Sequence, residues 1–299
     1  MRGEELEAAY PILGVLPGVA WLAYFAYKGR HRPDSPAHIF RVFLWGCAST
    51  LPTMLAELYT NIGLLRGTVL GSGPMSSCLV GPIEEFFKLG AVWFAIYRDP
   101  DFREPIHGII YATTAALGFA SVENILYLRH LGPSDLWSRV MFATPGHVMF
   151  SSMWGYSMGL ARFRRSGELT TILKGFLTGA TLHGVYNLVV EVHPSTAMIS
   201  LVPLMLFMAW MMNRRVRRFH REFPFPDLGE GALILCPHCG AYTLEQSERC
   251  TRCDFAVPRV PIDTPRFCAR CRARLDPCAD KCHRCGASIV TSDLCPPVQ

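Results

Sequence analysis

A chain of 299 residues that is 50% hydrophobic and only 18% charged, with a mean hydropathy of +0.22, is too apolar to be a single water-soluble domain. It has the composition of a polytopic membrane protein carrying a soluble appendage. The formal net charge of +5 becomes informative only through where the basic residues lie. Runs of about 20 apolar residues, the length that crosses a hydrocarbon core, occur near 10–27, 39–60, 74–97, 106–127, 140–161, 170–191 and 195–213. The expectation is an all-α bundle of about seven transmembrane helices. The first run follows Glu4, Glu5 and Glu7 instead of a basic segment, and no small-residue cleavage site follows it. It therefore reads as a retained span and not as a signal peptide.

Lys and Arg in short loops stay on the cytoplasmic side, and here they alternate. Lys28, Arg30, Arg32 and Arg41 flank the first loop, Arg98 and Arg103 the third, and Arg162, Arg164, Arg165 and Lys174 the fifth. Arg214, Arg215, Arg217 and Arg218 begin the tail, whereas the opposite side has only Arg2, Arg66, Arg129 and Arg139. This predicts an N-terminus outside and a cytoplasmic tail.

Ionisable residues interrupt four of the runs. Glu84 and Glu85 stand side by side in the third, with Lys88 one turn on; Glu123 and Asn124 lie in the fourth, His147 in the fifth, and His183 with Asn187 in the sixth. A charge at the centre of a span costs several kcal/mol by insertion scales, so such residues face a bundle interior and serve transport or chemistry. Counted from the outer ends of their spans, all four groups fall at a similar depth, roughly 9–15 Å below the outer surface at 1.5 Å per residue. Glu84, Glu85 and Lys88 share a helix face, as do His183 and Asn187, and His147 with Ser151. One shared polar site is the reading that unites them.

The segments G-P-I-E-E-F-F-K, F-A-S-V-E-N from Phe119 to Asn124, Gly146–His147, and H-G-V-Y-N from His183 to Asn187 together resemble the PrsW family of intramembrane proteases, related to the CAAX prenyl protease and bacteriocin-processing group. The resemblance covers roughly residues 75–190. It implies hydrolysis of a peptide bond in a membrane-anchored protein substrate, an anti-sigma factor in the family's best-known case, near the extracytoplasmic side. It further implies that Glu84 or Glu85 with His147 activates a water as general base. His183 and Asn187 would donate to the oxyanion, and Glu123 with Asn124 would complete the constellation. The glutamates and histidines would serve equally as ligands of a catalytic metal. No H-E-x-x-H is present, and a metal-independent glutamate mechanism is modestly favoured at this stage. The competing class is a non-enzymatic transporter or scaffold binding protons or ions at the same groups, but the inverted repeats usual in transporters are not evident.

Other polar or soft residues take plainer roles. Glu57 and Asn61 are placed at the outer interface, His107 far from the site, and the methionines of the last span in adaptable packing. Pro82 and Pro145, each just ahead of a site motif, are candidate helix breaks.

Beyond a transmembrane domain over 1–219 and a Pro- and Gly-rich linker over 220–231, residues 232–299 hold a 32-residue repeat. Cys236-x-x-Cys239 is answered by Cys250-x-x-Cys253, and Cys268-x-x-Cys271 by Cys282-x-x-Cys285, with ten residues between knuckles both times. Paired knuckles supply four thiolates for tetrahedral zinc, and a module this small needs the metal to fold. Two structural zinc ribbons in the reducing cytoplasm are expected, with Cys278 and Cys295 left over. From Ala232 onward nine basic residues face seven acidic ones, and each four-thiolate zinc site adds about two negative charges. Without a basic stripe, a protein partner is favoured over nucleic acid.

Overall fold

Seven long helices and one small sheet make up the described parts of the chain. The computed structural model describes residues 2–28, 35–60, 74–99, 102, 106–162, 167–222, 232–238, 242–250, 254–257, 265–269, 274–276, 279–283 and 286–289. The chain divides into two compact units, Met1–Tyr27 with Asp34–Glu222, and Lys28–Pro33 with Phe223–Gln299.

The helical unit begins with α1 (Arg2–Lys28), α2 (Pro36–Tyr59) and α3 (Pro74–Val92), the last continuing as a π-helical turn over Trp93–Tyr97. Helix α4 (Ile106–Leu131) is followed by a 3-10 turn (Pro133–Asp135), the single turn α5 (Leu136–Ser138) and a second π turn (Arg139–Ala143). These lead into α6 (Thr144–Arg162), α7 (Glu168–Val192) and α8 (Ala197–Glu222). Each expected apolar run is thus a helix. Helix α8 continues past its apolar stretch through Arg214–Arg218, because nothing in that basic segment breaks a helix. Three segments, Pro36–Tyr59, Ile106–Leu131 and Ala197–Arg218, are long and apolar enough to cross a membrane by length and composition. Helix α3 carries three charged residues within five positions, which removes it from that set.

The polarity of the bundle is turned outside in. Ile12, Leu16, Phe40, Leu44, Leu51, Leu55, Ile199 and Leu206 are exposed, while Glu85, Lys88, Asn124 and His183 are buried. That is the arrangement of a bundle solvated by lipid, in which polar groups turn to one another. Around Val92, Ile96, Tyr111, Trp154 and Met158 the interior is apolar; the buried charges lie nearer the other ends of the same helices. Helices α3 and α7 cross where both lack side chains. A Cβ on Gly81 would come within 2.7 Å of the Gly184 nitrogen and 2.9 Å of the His183 Cβ, and one on Gly184 within 2.7 Å of the Cys78 carbonyl oxygen. This contact places His183 against the Glu84–Glu85 turn. Pro82 sits inside a continuous α3, so it does not break the helix there, whereas Pro145 falls at the junction between π turn and α6.

The second unit is an antiparallel sheet of β1 (Ala232–Leu235), β2 (Tyr242–Leu244), β3 (Arg266–Cys268) and β4 (Arg274–Leu275), in the order β2-β1-β3-β4. The sequence repeat is also a repeat of hydrogen bonds. The pairs Ile234↔Thr243 and Leu235↔Tyr242 recur 32 residues on as Arg266↔Leu275 and Phe267↔Arg274. The bridge Arg249↔Ala256 recurs as Lys281↔Ser288, and the bond from Cys250 N–H to the Phe255 oxygen (2.9 Å) recurs from Cys282 to Ala287 (2.9 Å). Even the left-handed turn residue repeats, Asp254 at φ 56° and Gly286 at φ 69°. Cys236, Cys250, Cys268 and Cys282 are buried. Their knuckle partners Cys239, Cys253, Cys271 and Cys285 lie outside the described residues, as do Cys278, Cys295, Asn61, most of the expected linker, and Arg30, Arg32, Arg66, Arg103, Arg164 and Arg165 of the loops.

Candidate active site

Helix α3 brings Glu84, Glu85 and Lys88 to one buried face, with Glu85 and Lys88 fully inaccessible. The Lys88 ammonium donates to Glu84 Oε2 at 2.8 Å, to Glu85 Oε1 at 3.0 Å and to His147 Nδ1 at 3.0 Å. All three of its protons are therefore engaged, and it lies 4.1 Å from the centre of the Phe119 ring. A buried charge persists only when paired and hydrogen-bonded in this way.

The two carboxylates have different surroundings. Glu85 Oε1 also takes a bond from His183 (3.0 Å), and its Oε2 accepts from Ser151 (2.7 Å) and Trp154 (2.7 Å) on α6. Glu84 is held by Lys88 through Oε2, and its Oε1 has no hydrogen bond among the described residues.

Both imidazoles are oriented by a carboxylate. Because Nδ1 of His147 accepts from Lys88, its Nε2 carries the proton and donates to Glu123 Oε2 on α4 at 2.7 Å; this tautomer is assigned from the hydrogen-bond network. His183 donates through Nδ1 to Glu85, which leaves Nε2 bare. The bare nitrogens, Nδ1 of His147 and Nε2 of His183, lie 3.6 and 3.7 Å from the same Glu84 Oε2. The rings meet edge to face at 5.2 Å, and Phe150 stacks on His183 at 4.3 Å.

Ligand atoms of Glu84, His147 and His183 lie within 4.8 Å of one another. Two imidazole nitrogens and one carboxylate oxygen form a donor set used by catalytic zinc, and a carboxylate behind each histidine is the usual support of a metal-bound imidazole. Among the described residues, the cations paired with Glu84, Glu85 and Glu123 are Lys88 and Arg139, two permanent positive charges against three carboxylates. The residues therefore fit a divalent cation. The ammonium of Lys88 rests on two of the three donors and would have to release them to an ion.

Glu123 and Asn124 enter through Arg139, which the sequence placed at an outer boundary and the structure buries. Its Nη2 pairs with Glu123 Oε2 at 2.7 Å and its Nε donates to Asn124 Oδ1 at 2.6 Å. The Asn124 amide donates to the Gly14 carbonyl on α1 (3.3 Å) and to Thr144 (3.2 Å). Six of the eight expected residues thus meet directly, and Asn124 joins at one remove. Asn187 is half-buried one turn after His183 and makes no side-chain hydrogen bond among the described residues. His107 lies apart, against Phe102 and Tyr111.

The sequence reading missed Trp154 and Arg139 as site residues. Trp154 falls seven positions after His147 on the Ser151 face, a helical spacing that could have found it. Glu57 is half-buried and follows Gly46, Ser49, Thr50 and Thr53 along the same stripe of α2.

A family model described as "PrsW family intramembrane metalloprotease" matches residues 34–212. Curated relatives that carry the name "Protease PrsW" include the following three. That of Geobacillus kaustophilus is 33% identical over 174 residues, covering 58% of this chain and 76% of its own length. The Oceanobacillus iheyensis protein is 30% identical over 205 residues, 69% of this chain and 93% of its own. The Bacillus subtilis protein is 28% identical over 207 residues, again 69% and 93%. No solved structure matches the chain significantly.

Proposed function

The chain belongs to the PrsW family of intramembrane metalloproteases and is an integral membrane peptidase, and we propose that its catalytic centre is the Glu84–Glu85–Lys88–Glu123–His147–His183 cluster. The observation that carries this is the convergence of two imidazole nitrogens, Nδ1 of His147 and Nε2 of His183, on Glu84 Oε2. Glu84, His147 and His183 would hold a divalent metal, zinc by donor type. When bound, such an ion supplies Lewis-acid polarisation and a water of lowered pKa. The modest preference for a metal-free glutamate mechanism gives way to this reading, supported by the donor set and the family's description.

The chain's own residues divide the remaining work. Glu84, through its unoccupied Oε1, takes the proton of the attacking water and returns it to the leaving amine. Glu85 fixes His183, and Glu123 with Asn124 fixes His147. With Nδ1 of His183 committed to Glu85, the oxyanion role falls to the Asn187 amide, a type of contact worth about 3–4 kcal/mol in a water-poor site. Lys88 balances the carboxylates until an ion binds. The substrate is a membrane-anchored protein, with a single-span anti-sigma factor as the class the family resemblance indicates.

We further propose seven spans with the N-terminus outside, the site nearer the outer surface, and two cytoplasmic zinc ribbons over 232–299 that dock a protein. The 32-residue recurrence of hydrogen bonds around buried cysteines supports the ribbons. To test the peptidase centre, purified protein in detergent is given single-span anti-sigma-like substrates, with and without chelator, alongside Glu84→Gln and His147→Ala. Cleavage by wild type alone, lost with chelator and restored by zinc, is the expected result. Cleavage that survives verified metal removal would return the mechanism to glutamate. No cleavage by well-folded wild type would leave ion or proton binding at Glu84 as the better reading.

A further inference from the structure

We propose that Arg139 is a positioning residue of the protease: one guanidinium grips Glu123 and Asn124 together and thereby holds His147 in the tautomer that turns its bare Nδ1 towards Glu84. The inference rests on the reading of the Glu–His cluster as the catalytic centre and goes beyond it to a residue outside the family-like motifs.

The geometry assigns the role in three steps. First, Arg139 is 7% exposed; its Nε donates to Asn124 Oδ1 (2.6 Å), and its Nη2 lies 2.7 Å from Glu123 Oε2 as an ion pair without hydrogen-bond geometry. Adjacent residues on a helix point about 100° apart, and the planar guanidinium reaches Glu123 and Asn124 from two different nitrogens, a geometry that the single ammonium of Lys does not reproduce. Its guanidinium also covers the Tyr127 ring at 3.8 Å, which blocks movement away from α4.

Second, the same Glu123 oxygen that receives Arg139 also receives Nε2–H of His147 at 2.7 Å. The carboxylate is shared between a permanent cation and the imidazole, so the cation keeps it in place as an acceptor. An acceptor at Nε2 acts together with the Lys88 ammonium at Nδ1 (3.0 Å) against the tautomer with the proton on Nδ1, the nitrogen that faces Glu84.

Third, the backbone brings Arg139 to this spot by an irregularity. In a regular α-helix the eight residues from Arg139 to His147 would leave them about 80° apart around the axis. The π turn over Arg139–Ala143 is wider and takes up most of that offset, a use of π turns common at functional sites. Asn124 extends the bracket to α1 through the Gly14 carbonyl and to α6 through Thr144, so α1, which precedes the family-matched region, is tied to the same assembly.

The test uses the full chain in detergent, with Arg139→Gln, Arg139→Lys and the double variant Arg139→Gln/Glu123→Gln, each checked for a wild-type thermal transition. Arg139→Gln is expected to lower kcat about 10–100-fold with KM within about twofold, the size typical of removing the support of a metal-ligating histidine. In the double variant the losses should not add, because both act through His147. Arg139→Lys keeps the charge and should recover part of kcat. Nitrogen-15 histidine spectra, with His147 assigned by difference from His147→Gln, should show one tautomer in wild type and a mixture in Arg139→Gln. A wild-type kcat and tautomer in Arg139→Gln, or losses that add fully, would overturn the proposal. Should Arg139→Gln fail to fold, Arg139→Lys decides: a kcat and tautomer equal to wild type there count against the two-edged grip. If wild type cleaves nothing, the peptidase reading fails separately, while the tautomer measurement still settles the role of Arg139.

Discussion

The cysteines of the C-terminal unit and the Glu–His cluster of the helical bundle are both sets of metal-type donors, but they are assembled over very different lengths of chain. Each expected ribbon draws its donors from within 18 residues, such as Cys236 to Cys253, and the pattern recurs 32 residues later. The membrane cluster draws Glu84, Glu123, His147 and His183 from four helices spread over 100 positions. Local donors make a site that stands or falls with its metal. Dispersed donors are held by a bundle whose helices pack for other reasons, so chemistry and stability can be removed separately.

Four predictions probe that contrast. Cys250→Ser should have the largest effect, because structural zinc in small modules contributes about 10–16 kcal/mol of apparent binding energy that is also folding energy. Zinc content should fall by one equivalent while the helical unit keeps its thermal transition; loss of both zincs would show that the repeats are one cooperative site.

Within the bundle, Glu84→Gln and Glu85→Ala should part company. Glu84→Gln should lower kcat by about a thousandfold or more, about 4 kcal/mol, with little change in thermal unfolding, since Glu84 supports only Lys88. Glu85→Ala strips the acceptor from Lys88, His183, Ser151 and Trp154 and should cost about 3–5 kcal/mol of stability, the range for breaking a buried pair. Equal stability losses would erase the distinction between the two glutamates.

Gly81→Val comes next. Its side chain would meet Gly184 and His183 across the α3–α7 contact, at a cost of about 1–3 kcal/mol for overpacking. Activity should fall further than stability, because the strain displaces His183. The smallest effect is expected for Arg249→Ala in the C-terminal unit, where the 2.9 Å pair with Asp254 is exposed on both sides; exposed pairs contribute about 0–1 kcal/mol, and chemical denaturation should detect little.

Much of this was readable from residues alone. The apolar runs set the helices, since a stretch of that length and composition must satisfy its backbone internally. Ionisable residues in those runs marked the side chains that meet inside the bundle, because charge in lipid needs a partner. The cysteine spacing carried the repeat, as the hydrogen bonds that recur lie within each 32-residue unit. What escaped were meanings that depend on a neighbour from another helix. Arg139 reads as a boundary charge until Glu123 and Asn124 are beside it.

By itself the sequence determined the apolar helices, the polar residues they could not leave in lipid, and the periodic cysteines, all of which follow from one-dimensional spacing and the cost of unsatisfied charge. Only the tertiary structure decided which carboxylate is saturated and which is left with an open oxygen, and which nitrogen of each histidine is bare. Those properties belong to hydrogen bonds between helices, and a donor's partner is fixed by the packing that brings the two within 3 Å.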